Sequence, residues 1–182
     1  AKVRSAELQD SARVLGAGLI EIGLPDYGVW PDRETMLLFA DAIRRAHAAV
    51  VITHYHSDYG GDHNNTFAAV LDATVAASVA NVKTSHPSIP AIPLLFMMEP
   101  LGGYGFQPEV YVDITETLET KLKMLQCHRS QMEWMSRYGG LDCARYIETV
   151  ARFRGYQAGV TLAEGFIPHK SFAHVGAGRV LP

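Results

Sequence analysis

The stretch THYHSDYGGDHNNTF, residues 53–67, brings His54, His56, Asp58, Asp62 and His63 into one short segment directly after the apolar run AAVVI. Imidazole nitrogens and carboxylate oxygens are the donors that a divalent ion such as Zn²⁺ accepts, and the same groups carry protons in acid–base chemistry. A hydrolytic metal site needs about three such donors and one open position for water, whose pKa the metal lowers. Gly60 and Gly61 allow a tight reversal, so that His63 can return toward His54 and His56. A plainer reading is equally available: the histidines are polar residues at a strand's rim, and Asp62 caps the helix that starts at residue 63. Spacing alone leaves both open.

The elements that must position these groups alternate along the chain. GLIEIGL (18–24) reads as a short strand before the turn PDYG. DRETMLLFADAIRRAH (32–47) carries Met36, Ala40 and Ile43 at helical spacing, with Asp32 placed to cap it. AAVVITH (48–54) is a β-branched run of the kind covered on both faces of a sheet, and residues 62–82 form a long Ala/Val-rich helix. IPLLFMME (92–99) is a further strand, GGYGF (102–106) a glycine loop and EVYVDI (109–114) an edge strand. Residues 115–138 follow as one helix, with Asp113 and Glu116 in a capping-box pattern. A last helix over 142–159 precedes a strand over 160–166. Such alternation predicts a single α/β domain, residues 1–182, with a mostly parallel sheet whose ligands sit at the carboxyl ends of the strands. His54 and His63 stand at one such end.

Composition narrows the partners. With 182 residues, 48% hydrophobic and 19% charged, and a net charge of −3, the chain suits a globular domain with no electrostatic footprint for nucleic acid or an anionic membrane. No apolar run approaches a membrane-spanning length, and no export signal opens the chain. Cys127 and Cys143 form no metal or disulfide pattern, read as small buried hydrophobes, and suit a reducing, cytoplasmic compartment.

Other patterns carry less. GAGLIE (16–21) lacks the third glycine of a dinucleotide fingerprint and follows a helix; GGYGF has no Lys-Ser/Thr pair behind it. Cys127 and His128 are neighbours on a helix and point about 100° apart, against a thiol–imidazole dyad. His47 sits where a helix dipole favours a cation. His128, flanked by Leu125 and Met132, is either a satisfied semi-buried histidine or a pocket group; His86, His169 and His174 lie in loops without an identifiable partner. The Met and Trp residues of QMEWMSRY read as core or subunit contact.

Taken together, VRSAEL (3–8), IGLPDYG (22–28), VVITHYHSDYGGDH (50–63), YVDITETLETKLKMLQCHRSQ (111–131) and ARFRGYQAGVTLAEGF (151–166) resemble successive blocks of the LmbE-like or PIG-L-like deacetylases. The resemblance implies a Rossmann-like three-layer α/β fold and zinc-dependent hydrolysis of an N-acyl bond, usually the acetamide of an N-acetylglucosaminyl conjugate, in proteins that are often homo-oligomers. His63 matches the zinc-ligand histidine ending the family's H-P-D-H block, and Asp62 the aspartate before it. Arg4, completed by Glu7 in R-x-x-E, and Asp26 match groups expected near the sugar. His128 falls in the H-x-S-Q block and suits a proton donor to the leaving amine.

Two departures qualify what the resemblance implies. The other histidine of H-P-D-H is Gly60 here, so that either another group such as His56, Tyr59 or His128 takes its task or the chemistry differs. The family's first block, A-H-P-D-D-E, which supplies a histidine, an aspartate ligand and the general base, is absent from this sequence, as is the first strand that precedes it. The chain by itself is therefore expected to bind zinc poorly and to turn over little. Two readings follow: a zinc hydrolase whose base lies upstream, or a non-catalytic sugar-binding or scaffold member. A separate local reading places a metal on His54, His56, Asp58 and His63 alone.

Overall fold

The computed structural model describes residues 2–171. In chain order its elements are α1 (Lys2–Leu15), α2 (Arg33–Ala46), β1 (Val50–Thr53), α3 (Gly61–Ser78), β2 (Leu94–Met98), β3 (Val110–Asp113), α4 (Leu118–Cys127), α5 (Arg129–Gly139), α6 (Cys143–Ala158) and β4 (Ala163–Pro168). The sheet has the strand order β1-β2-β4-β3. β1 runs parallel to β2 with Val51 opposite Leu95, and β2 runs antiparallel to β4 with Met97 opposite Ile167. The α/β class read from the sequence is the class observed. The chain divides into two compact units, Ala1–Glu21 with Tyr111–Gly165, and Ile22–Val110 with the stretch beginning at Phe166.

The core of the second unit is built from small residues. Ala40 and Ile43 of α2 meet Ala73, Ala76 and Ala77 of α3, with Ile89 alongside and Val51 of β1 packed against them. Alanine favours the helix and lets two helices approach closely. Asp32 caps α2 as its sequence predicts, its carboxylate accepting from Thr35 N at 2.8 Å. At the other end of α2, His47 is the C-cap, in the left-handed region at φ 48.

Arg44, in the last turn of α2, is 2% exposed. Its guanidinium donates to the carbonyls of Ala76, Ala77 and Val79 at the end of α3, to those of Val82 and His86 beyond it, and to Thr84 Oγ1. Those carbonyls carry the negative end of the helix dipole, so the buried charge is matched by partial charges. Asp41 completes the tie by accepting from His86 N at 2.9 Å and pairing with His86 Nδ1 at 3.0 Å. His86 thus has partners that its sequence neighbours do not reveal.

In the first unit, Ile114, Ala151 and Leu162 form a small core against Leu118. Lys121 pairs with Glu164. Asp113 accepts from Thr115 N, and the N-cap of α4 is Thr117, so the expected capping box is replaced by a local turn.

Five further expectations change. Residues 18–24 form no strand: Gly23 at φ 80 leaves the extended region and interrupts any ladder. β1 is not covered on both faces, because Val50 and Ile52, alternating with the packed Val51, are about half exposed at 50% and 54%. The helix expected over 115–138 is two helices, broken at His128 (φ −88, ψ 53). Trp134 and Tyr138 on α5 are exposed and so are not core, and both cysteines are half-buried, not buried.

Replacing Arg44 by Met should lower unfolding free energy by about 3 kcal/mol, since five carbonyls and a hydroxyl lose a charged donor at once, although those of Ala76, Ala77 and Val79 keep a backbone N–H. Arg44→Lys should recover only part of that loss, because one ammonium cannot serve six acceptors. Urea midpoints of the three proteins check the order.

Candidate functional site

β1 ends at Thr53, and the chain passes through residues 54–60 before α3 begins at Gly61. This puts His54 at the carboxyl end of a parallel strand and His63 in the first turn of the next helix, where the sequence pattern placed them. Their imidazole rings stack with centroids 4.5 Å apart and planes 29° from parallel. Asp58 joins them: its Oδ2 lies 3.0 Å from His63 Nδ1, and its side chain is almost fully buried. That approach is within ion-pair distance but off the direction of a hydrogen bond. The Nδ1 atoms of both His54 and His63 are therefore buried without a hydrogen-bond partner.

Burial pushes the pKa of His54 below the ordinary histidine value, the neighbouring His63 pushes it further down, and Asp58 opposes both. The neutral form of His54, which keeps a lone pair on one ring nitrogen, is thereby favoured.

The loop is held by residues that the sequence reading did not single out. Asn64 Oδ1 accepts from Asp58 N at 2.7 Å while its Nδ2 donates to Asp58 O at 3.0 Å, a reciprocal clamp on the buried aspartate. Asn65 donates to Val29 O at 2.7 Å. The only available signal was the Asn-Asn pair directly after His63, and its targets depend on how the loop folds back.

Asp62 is placed differently from either role expected of it. It lies inside α3, whose N-cap is Gly60, and its carboxylate accepts from Tyr27 N at 2.6 Å and from Val29 N at 3.3 Å. Tyr27 is a non-glycine residue at φ 58 in the turn PDYG. Gly28 is required there, since a Cβ would stand 2.5 Å from the Pro25 ring. Asp62 thus fixes a strained turn that also carries the exposed Asp26.

The remaining expected residues separate. Tyr59 is exposed, with its ring edge-on to His63 at 5.2 Å. His56 is exposed and sits against Tyr55 and Phe67, so it does not join the His54–Asp58–His63 group. A Cβ at Gly60 would touch the His63 ring at 3.4 Å, an ordinary contact; no side chain fills that place. His169 donates its backbone N–H to Leu95 O and faces Phe67, whereas His174 lies outside the described residues. Within the first unit, Arg4 donates to Gln131 Oε1 at 2.5 Å, Glu7 binds Ser130, and His128 occupies the break between α4 and α5.

The resemblance implies zinc, and the donor types fit: two imidazoles beside a carboxylate, with buried nitrogens that make no hydrogen bond, are groups that zinc accepts. The set is incomplete, because among the described residues no group of three or more His, Cys, Asp or Glu side chains is disposed to hold a metal ion. Among the same residues no helix is long and apolar enough to cross a membrane.

Asp62→Ala should release the 25–29 turn while leaving α3 intact. Amide exchange at Tyr27 and Val29 is expected to rise by roughly tenfold or more, with the α3 interior unchanged. Unchanged exchange at both amides would show that the turn holds itself.

Known proteins are similar to this chain in sequence and in fold. Residues 1–74 match the family described as PIG-L, GlcNAc-PI de-N-acetylase. A curated relative, the 4-oxalmesaconate hydratase of Pseudomonas putida, is 27% identical over 178 residues, covering 92% of this chain. The chain spans 65% of that relative's length. A conserved protein of Thermus thermophilus superposes with a TM-score of 0.80 at 24% identity, covering 98% of this chain and 78% of that one. The 4-carboxy-2-hydroxymuconate hydratase of Pseudomonas putida gives 0.75 at 22%, covering 97% and 75%. The N,N'-diacetylchitobiose deacetylase of Pyrococcus horikoshii gives 0.68 at 23%, covering 92% and 63%. Over its first 74 residues the chain resembles the PIG-L, or LmbE-like, family in sequence, and over nearly its whole length it shares the fold of these solved structures.

Proposed function

We propose that this chain carries part of the active site of a zinc-dependent hydrolase that removes an N-acetyl group from an N-acetylglucosaminyl-type conjugate. The observation that carries the reading is the meeting of His54, Asp58 and His63 at the end of β1, with two buried imidazole nitrogens that make no hydrogen bond. Zinc, when bound, would polarise the acyl oxygen and acidify a water. In this reading His63 holds the metal, and the buried Asp58 orients His63. Asp62, kept among the catalytic residues by its match to the family's aspartate, also positions the 25–29 turn and with it Asp26 by accepting from two backbone amides. Arg4, Asp26 and Tyr59 are assigned to the sugar, and His128 to protonation of the departing amine. The general base, a histidine and an aspartate belong to the family block that this sequence does not contain. A cytoplasmic homo-oligomer is part of the same proposal.

A second reading has specific support: the curated relative covering 92% of this chain is a hydratase. Adding water across a conjugated double bond needs the same water-handling centre, and an arginine such as Arg4 suits a carboxylate of a polycarboxylate substrate. Two assays on the intact, zinc-supplemented protein separate these readings. The first follows acetate release from N-acetylglucosaminyl conjugates, and the second follows hydration of 4-oxalmesaconate. Acetate release that falls about 100-fold in His128→Ala supports the deacetylase. Hydration without acetate release replaces it with the hydratase. Silence in both assays favours the non-catalytic sugar-binding or scaffold role.

A further inference from the structure

Residues 115–138 contain neither proline nor glycine, yet the chain leaves the helix at His128. A break without a local breaker needs an outside cause. The side chain of His128 makes no cap to α5, so the first amides of that helix depend on acceptors from elsewhere. Glu7, halfway along α1, provides one for the amide of Ser130. Its Oε1 accepts from Ser130 N at 2.8 Å and its Oε2 from Ser130 Oγ at 2.6 Å. Arg4, one turn earlier on the same helix, donates to Gln131 Oε1. The R-x-x-E face of α1 therefore grips the two residues that stand second and third after His128.

Glu7 is buried, and the two bonds from Ser130 hold its carboxyl below the usual range against the opposing effect of burial, helped by the charges of His128 and Arg4. An ionised carboxylate at a helix N-terminus also meets the favourable end of the dipole. In a continuous helix the amide of Ser130 would bond to the carbonyl of Gln126, four residues back. Glu7 offers that amide a stronger, charged acceptor.

We propose that Glu7 is a positioning residue: by capping α5 from α1 it sets the helix break that aims the His128 imidazole. The functional meaning of that aim rests on His128 being a substrate-facing group, as proposed above. The geometric claim stands on the Glu7–Ser130 contact alone.

Backbone and imidazole NMR of the wild type, Glu7→Gln and Ser130→Ala tests it. In Glu7→Gln the Cα resonances of His128 and Arg129 should move into the helical range, and the His128 ring signals should shift with them while the thermal midpoint changes little. Ser130→Ala, which keeps the amide cap, should move the same signals less and in the same direction. His128 signals that stay in place in folded Glu7→Gln overturn the proposal. Should that variant not fold, Glu7→Asp, whose carboxylate is one methylene further from Ser130 N, takes its place, and unchanged His128 signals in it overturn the proposal equally. Where the intact enzyme deacetylates, Glu7→Gln should lower kcat by roughly 10- to 100-fold with KM nearly unchanged. An inactive wild type counts against the deacetylase reading only, because the NMR result decides the role of Glu7 by itself.

Discussion

The guanidinium of Arg44 fixes the C-terminal end of α3, and the placement of the candidate site depends on where α3 lies. A buried cation is tolerated here because five carbonyls and a hydroxyl converge on it, three of the carbonyls from the terminal turn of α3 and its cap. Desolvation of the charge is offset by many modest bonds. With that end locked to α2 and the alanine face of α3 packed on Ala40 and Ile43, the helix has little freedom to slide. Its first turn is then delivered to the end of β1.

At that opposite end the same helix organises polar groups. Asp62 draws the backbone of Tyr27 and Val29 toward α3, Asn65 adds a bond to Val29 O, and Asn64 clamps Asp58. Consecutive residues 62, 63, 64 and 65 thus divide the work: three hold loops, and His63 stacks on His54. A histidine pair with buried nitrogens that make no hydrogen bond is energetically costly by itself. Its persistence between well-satisfied neighbours is what sets this pair apart from an ordinary polar rim.

Much of this was legible in the sequence, and the parts that were not share a cause. The cap at Asp32, the Ala/Val-rich helix from residue 61 and the meeting of His54 with His63 follow from local pattern and a glycine turn. The local four-residue metal reading identified three residues that converge and one, His56, that turns away to Tyr55 and Phe67. The lost strand at 18–24 turned on one glycine's φ, which composition does not fix. The break at His128 is set by Glu7, 123 residues distant from Ser130 in sequence. No periodicity in α4 or α5 could announce it, since the cap comes from another helix. Likewise the apolar β1 run predicted burial, but a run of Val and Ile does not say which of its faces has a partner.

In the proposed function, α3 builds a water- or metal-handling centre from His54, Asp58 and His63, and not from the other histidines. Imidazole ¹⁵N resonances followed through a zinc titration test that claim most directly. Binding is expected to be weak, and the Nδ1 signals of His54 and His63 should respond together and before any other histidine, with His56 and His128 unaffected. A first response at His56 or His128, or a titration that leaves His63 unmoved, would contradict it.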